Sequence, residues 1–321
     1  MTESGEHGIV VMYHYVRDRE QKHETGLRPL WIDEFEYQLD WLSDRYTILT
    51  PEQIGAMCEG SYAPTRPYCI LTFDDGTKDH AIEVTALLSR RELGGIFFVL
   101  TGPLVDQRLP NSHRLHVLLS RVSETSLWRE VVNLVGGESR LGQPCAARRS
   151  YGYEDSDIRR RLKYGLNRFL SRQEADRVLG ELIATYVGEE SLLVKEWFVT
   201  EADLHQMQVA GMEIGSHGHC HEAISNLSQK SVENDIRQCH LILSDILGRS
   251  PRMFAYPFGG YGASQSIYNR CNSVFRELRY RGIFTYDRDN RPFPFRSKVA
   301  ISHFGRVDCT ELPPRTEGSL F

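Results

Sequence analysis

Tyr68-Cys69-Ile70-Leu71-Thr72-Phe73-Asp74-Asp75-Gly76 is an apolar run closed by two carboxylates and a glycine. A short apolar run bounded by polar or turn residues is how a strand buried in a parallel sheet reads. The signature recurs at 8–13, 46–49, 96–100, 212–215, 253–256, 283–286 and 299–302. Amphipathic segments separate these runs. Trp31, Phe35, Leu39 and Leu42 recur at helical spacing, and Ile236, Cys239, Leu243, Ile246 and Leu247 form a second stripe closed by Gly248. Thr50-Pro51-Glu52-Gln53 is a capping box with proline at the first helical position. Strand and helix alternating roughly eight times predicts an α/β barrel, although the pattern alone also admits a doubly wound sheet.

The Asp pair has a distant counterpart. His217-Gly218-His219-Cys220-His221 closes the run Met212-Glu213-Ile214-Gly215. Carboxylates and imidazoles at strand ends are the parts of a metal-hydrolase site. Their oxygen and nitrogen donors suit a borderline divalent ion, Zn²⁺ first, with Co²⁺, Ni²⁺ or Mn²⁺ as alternatives. Adjacent aspartates serve a metal and a water separately only where the backbone bends, and Gly76 permits the bend. Asp-Asp-Gly also suits a plain turn. His219 reads as an outer-layer or solvated residue, and Cys220 as a packed thiol. His14 ends the first run and either touches substrate on the rim or caps the strand. His113 and His116 share a helix face, read as solvated or packed.

These residues resemble the NodB-like polysaccharide deacetylases (carbohydrate esterase family four). The first family motif, Thr-Phe-Asp-Asp-Gly, is complete at 72–76, and the second, His-Ser/Thr-x-x-His, is matched at 217–221 with Gly218 in place of the hydroxyl residue. The third, Arg-x-Pro-Tyr-Gly, is matched by Ala255-Tyr256-Pro257-Phe258-Gly259. The motif around an Asp and a Trp is not visible. The resemblance spans roughly 8–104 and 195–305 and implies an irregular (β/α) barrel. It implies that Asp75, His217 and His221 hold the metal and that Asp74 is the general base. The Phe258 N–H would help hold the oxyanion, with Tyr256 beside it. Ile301-Ser302-His303 loosely fits the motif that supplies a general acid, His303. In the family the motif-three Arg pairs with the base. Ala255 cannot do so, which leaves Arg252, Arg296 or Lys298 as replacements.

Length and composition set the frame. The chain has 321 residues, 40% hydrophobic and 25% charged, with a net charge of −5. This is ordinary for a globular protein and argues against a nucleic-acid binder. No apolar run approaches the ~18 residues of a membrane span. The polar N-terminus and seven scattered cysteines without a Cys-x-x-Cys pair lead to the expectation of a cytoplasmic protein with free thiols. The whole chain, 1–321, reads as one domain, with a helix-rich insertion at 104–195 and a loose tail at 310–321. Within the insertion, 148–172 holds eight Lys/Arg against three Asp/Glu. Arg159, Arg160, Arg161 and Lys163 are therefore candidates for a phosphate or anionic sugar, or simply a solvated face.

The expectation for function is a metal-dependent N-deacetylase. Its substrate would be an N-acetylated amino sugar in a glycan, glycolipid or activated precursor, possibly one linked to phosphate. Two alternatives stand beside it: hydrolysis of a non-sugar linear or cyclic amide, and a catalytically silent glycan-binding module.

Overall fold

The computed structural model describes residues 8–19, 29–260, 265–286 and 301–313. Its strands, in chain order, are β1 (Gly8–Tyr13), β2 (Val16–Arg17), β3 (Leu30–Trp31), β4 (Thr47–Ile48), β5 (Tyr68–Phe73), β6 (Ile96–Val99), β7 (Glu213–Ser216), β8 (Met253–Ala255), β9 (Gly282–Tyr286) and β10 (Ser302–Asp308). β2 and β3 form a small parallel pair of their own. The rest form one parallel sheet ordered β1-β10-β9-β8-β7-β6-β5-β4, and β1 also pairs with β5. That pairing closes seven strands into a barrel, and β4 lies against the start of β5. The expected (β/α) barrel is the observed one. Its irregularity is that seven strands close it, not eight.

Two-residue alternation sorts the side chains. Val10, Ile70, Ile96, Phe98, Met253, Ala255, Phe284 and Phe304 form one cluster with Leu49, Ile54, Met57 and Cys58. The strand members of this cluster fill the barrel. The others come from the segment around helix Pro51–Cys58, which lies near the strand starts: a Cβ on Gly94 would meet Pro51, and one on Gly282 would meet Cys58. The interior is close-packed enough to require glycine: a Cβ at Gly215 would stand 2.7 Å from the Phe98 ring. The outer face of β1, β5 and β6 packs under helices. Phe73 stacks on Phe97 at 4.6 Å and on Tyr13 at 5.2 Å between ring centroids, which fixes the end of β5 just before the Asp pair.

One boundary differs from the sequence reading. The last described strand is Ser302–Asp308; of the run 299–302, positions 299 and 300 lie outside the described residues. Its inward positions include a charged residue, Arg306, so it breaks the apolar signature used to find the others. The expected loose tail falls outside the described residues from 314 onward, whereas Leu312 is buried in the core.

Between β6 and β7 lie helices, from Gly102–Asp106 to Glu190–Trp197. They have their own apolar cluster, including Leu115, Leu118, Leu127, Val131, Leu162, Leu179 and Leu182. Most charges of the basic stretch meet carboxylates within the protein. Arg159 pairs with Glu124, Arg160 with Asp157, Arg161 with Glu138 and Lys163 with Glu154. These four candidates for a phosphate thus already have carboxylate partners within the protein.

Candidate metal centre

The ends of β5 and β7 deliver the carboxylates and imidazoles to one place. Asp75 Oδ1 lies 3.3 Å from His217 Nε2 and 3.2 Å from His221 Nε2. Ligand atoms of these three residues all lie within 4.8 Å of one another. Asp75 and His217 are buried, and the His221 side chain is 9% exposed.

The backbone is bent to achieve this. Asp75 (φ 79°), His221 (φ 52°) and Phe258 (φ 57°) all occupy the left-handed region although none is glycine. Such strain gathers at functional sites because the surrounding structure has to hold it. The bend after β5 thus begins at Asp75 itself, and Gly76 (φ 70°) continues it. The Gly76 carbonyl accepts the Val199 N–H at 3.0 Å, tying the loop to the segment that leads into β7.

The loop 217–221 is held by Asp235. Its carboxylate accepts the His219 and Cys220 N–H groups, each at 3.0 Å. A Cβ on Gly218 (φ 84°) would lie 2.6 Å from Asp235 Oδ2. This explains why a hydroxyl residue is replaced here: conformation and space both demand glycine. Gly218→Ala is expected to cost more than about 1 kcal/mol in urea unfolding, and unchanged stability would contradict this reading of the loop.

Three features test whether the residues suit a metal. The His217 Nδ1 lies 2.9 Å from the Ala255 carbonyl, which only accepts, so in the neutral ring the proton sits there and Nε2 keeps its lone pair. His221 Nδ1 lies 2.9 Å from Ser112 Oγ, which leaves its Nε2 facing Asp75. Asp75 Oδ1 itself is buried and accepts no hydrogen bond. Convergent lone pairs around an unsatisfied carboxylate oxygen fit a divalent cation. His219 faces elsewhere. Its ring reaches Thr101, Gln238 and Asp106 at 2.9, 2.9 and 3.1 Å.

Asp74 sits beside this triad, with Oδ2 3.9 Å from His217 Nε2. Arg306 grips it in a two-pronged pair, Nη1 to Oδ1 at 2.6 Å and Nη2 to Oδ2 at 2.8 Å. Both side chains are fully buried. Burial alone would push the Asp74 carboxyl up; Arg306, then His217, outweigh it and hold the carboxyl below the usual range. Asp75 is held well below it against the same burial, by His221, His113 and His217. His14, just past β1, also favours the Asp74 charge. The His14 carbonyl meets the His80 ring at 2.6 Å.

Arg306 was missed from the sequence. The base partner is not Arg252, whose guanidinium pairs with Glu59 at 3.2 Å on the surface. Arg296 and Lys298 lie outside the described residues. The replacement comes from β10, two strands from Ala255 in the sheet order, and enters the same barrel mouth. His303 is corrected by alternation: three residues from Arg306, it lies on the opposite face of β10. Burial also pushes its imidazole down to about 4, which disfavours the imidazolium form at neutral pH. Tyr256 is corrected too. Its ring packs among Phe254, Phe275 and Ile283, away from the triad. Phe258 does reach the site, its ring 4.8 Å from that of His221. His113, read as an ordinary helix-face residue, is buried with Nε2 3.4 Å from Asp75 Oδ2.

Comparison with known proteins agrees with this geometry. Residues 178–274 match the family model described as polysaccharide deacetylase, a span that includes His217, His221 and Phe258. A de-N-acetylase from Aggregatibacter actinomycetemcomitans superposes with a TM-score of 0.55 at 15% identity, covering 98% of this chain and 99% of that one. The fold is that of the polysaccharide deacetylases. IcaB from Ammonifex degensii matches with a TM-score of 0.54 at 16% identity over 97% and 94% of the two chains. The Streptococcus pyogenes deacetylase PplD, in complex with acetate, matches with a TM-score of 0.53 at 15% identity over 94% and 91%. No curated protein sequence matches the chain. The polysaccharide-deacetylase likeness thus joins the sequence motifs to the architecture.

A pocket of about 140 Å³ opens beside His221 and Phe258. Its other walls include Asn111, Ser112, Leu166, Asn167, Leu170 and Arg172, all between β6 and β7. Glu222, on the same wall, is pushed up to about 7, chiefly by burial.

Proposed function

We propose that this protein is a metal-dependent deacetylase of N-acetylated amino sugars. The observation that carries the reading is the buried Asp75–His217–His221 triad with the Arg306-paired Asp74 beside it. Asp75, His217 and His221 would hold the ion, Zn²⁺ first by donor type. When bound, such an ion polarises an amide carbonyl and acidifies water. Asp74 takes the proton of the attacking water as the new C–O bond forms. Each Asp74 oxygen keeps a lone pair beyond the one given to Arg306, so the ion pair does not block this role. With His303 on the far face of its strand, the same proton passes from Asp74 to the departing nitrogen as the C–N bond breaks. The Phe258 backbone N–H would share the charge developing on the carbonyl oxygen. Free acetate and a new amine leave.

The reading draws support from the family match and from relatives named as deacetylases. The seven cysteines are free thiols, in keeping with a reducing compartment. No described helix is long and apolar enough to cross a membrane.

One observation favours a second reading. The pocket beside the triad is walled largely by the insertion, which suits a small or terminal amide as well as a sugar ring. Acetate release from a panel of N-acetylated sugars, free, polymeric and nucleotide- or lipid-linked, separates the two. Acetate with a stoichiometric new amine supports the sugar deacetylase. Ring opening of a cyclic amide without acetate would replace it. The silent-module alternative loses its motivation, because Arg306 supplies the base partner whose loss suggested it.

A further inference from the structure

We propose that Ser112 and His113, at the start of the insertion helix Asn111–Arg121, form a hydrogen-bond relay that locks two metal ligands in their binding state. The proposal rests on the metal-site reading above. It makes the insertion a working part of the centre.

The contacts form a closed ring, hydrogen-bonded through Ser112 and joined to Asp75 by ion-pair contacts. Ser112 Oγ lies 2.9 Å from His221 Nδ1 and 3.2 Å from His113 Nδ1. His113 Nε2 faces Asp75 Oδ2 across 3.4 Å, an ion-pair contact and not a formed hydrogen bond, and it has no other hydrogen-bond partner. Asp75 Oδ1 returns to His221 Nε2 at 3.2 Å. Ser112 and His113 are 5% and 1% exposed. Phe198 packs edge-on against the His113 ring at 4.9 Å. Arg114, one residue on, anchors the helix start to Glu190, whose carboxylate also accepts the Leu109 N–H.

Proton counting gives the ring a direction. A serine hydroxyl has one proton and serves only one of the two imidazoles as donor. For His221 to present a lone pair at Nε2, its proton must sit on Nδ1 and go to Ser112 Oγ. Ser112 then donates to His113 Nδ1. That leaves the His113 proton on Nε2, aimed at Asp75 Oδ2. Each proton then has an acceptor facing it, with His113 Nε2 awaiting a closer approach to Asp75 Oδ2, and Asp75 Oδ1 is left for the cation. With the serine reversed, the His221 proton would face Asp75 and occupy the metal position. The relay therefore selects the ligand tautomer and the carboxylate rotamer together. Both are positioning residues.

Zn²⁺ affinity, measured by competition with a chromophoric chelator, tests this without reference to turnover. Ser112→Ala and His113→Ala are each expected to weaken Zn²⁺ binding about 10–100-fold, with thermal melting confirming the fold. Ser112→Thr, which keeps the hydroxyl, and His113→Gln, which keeps an N–H donor, are expected to recover most of the loss. Affinities of both alanine variants within twofold of wild type would overturn the relay while leaving the metal site intact. Alanine variants that weaken but are not rescued would reduce it to packing and also overturn it. A wild-type chain that binds no Zn²⁺ would remove the metal-site reading itself, and the relay with it.

Discussion

Arg306→Met destabilises the protein by about 3–5 kcal/mol at neutral pH, because it leaves Asp74 buried and unpaired. The Arg306 side chain is wholly buried and makes two short contacts to the same carboxylate. Arg306→Lys keeps the charge but loses the planar fork, so its cost should be intermediate. The pH dependence has a definite sign. In wild type the folded Asp74 carboxyl is held below its ordinary value, so its stabilisation is present above the unfolded value near 3.9 and fades as pH falls through the folded one. In Arg306→Met only burial and the weaker neighbours act, and burial dominates, so the folded value rises above the unfolded one. The penalty then shrinks on acidification. Urea unfolding at pH 7 and pH 5 should show the gap between wild type and variant narrowing. A gap that widens, or a variant as stable as wild type at pH 7, would contradict the buried pair.

Asp74→Asn is expected to lower turnover by about 10²–10⁴-fold while leaving metal bound. The amide keeps the shape and can still accept from Arg306 through its oxygen, but it cannot take a proton from water. Asp74 lies outside the triad whose ligand atoms converge, so metal content should not follow turnover down. His217→Ala gives the complementary result, loss of both. Metal analysis and acetate release on the same samples distinguish the two variants. An Asp74→Asn protein that retains turnover would overturn the base assignment.

The sequence was clearest where chemistry and periodicity coincide. The apolar run 68–73 ends at the Asp pair, and the run 212–215 ends at the histidine segment, so strand, direction and ligand set are read together. β10 shows where this fails. Arg306 follows Phe304 on the inward face, where the other strands put mostly apolar residues, so the apolar signature stops early and the strand was placed at 299–302. That slip of register put His303 at a strand end and hid the partner of Asp74. A guanidinium inside a barrel is intelligible only with its carboxylate in view, 232 positions away in sequence. The insertion was opaque for a related reason. Ser112-His113 has no spacing that marks a site, and its role depends on a helix from between β6 and β7 folding back over the barrel mouth. Gly218 looked like a departure from a motif, yet it follows from Asp235 filling the space of its Cβ.

Acetate release from N-acetylated sugar substrates by chelator-stripped protein, before and after adding back Zn²⁺, is the most direct measurement. The expected result is no acetate from the stripped chain, recovery saturating near one ion per triad, and no recovery in His217→Ala. Acetate release that survives stripping, or that His217→Ala retains in full, would contradict hydrolysis at the Asp75–His217–His221 centre.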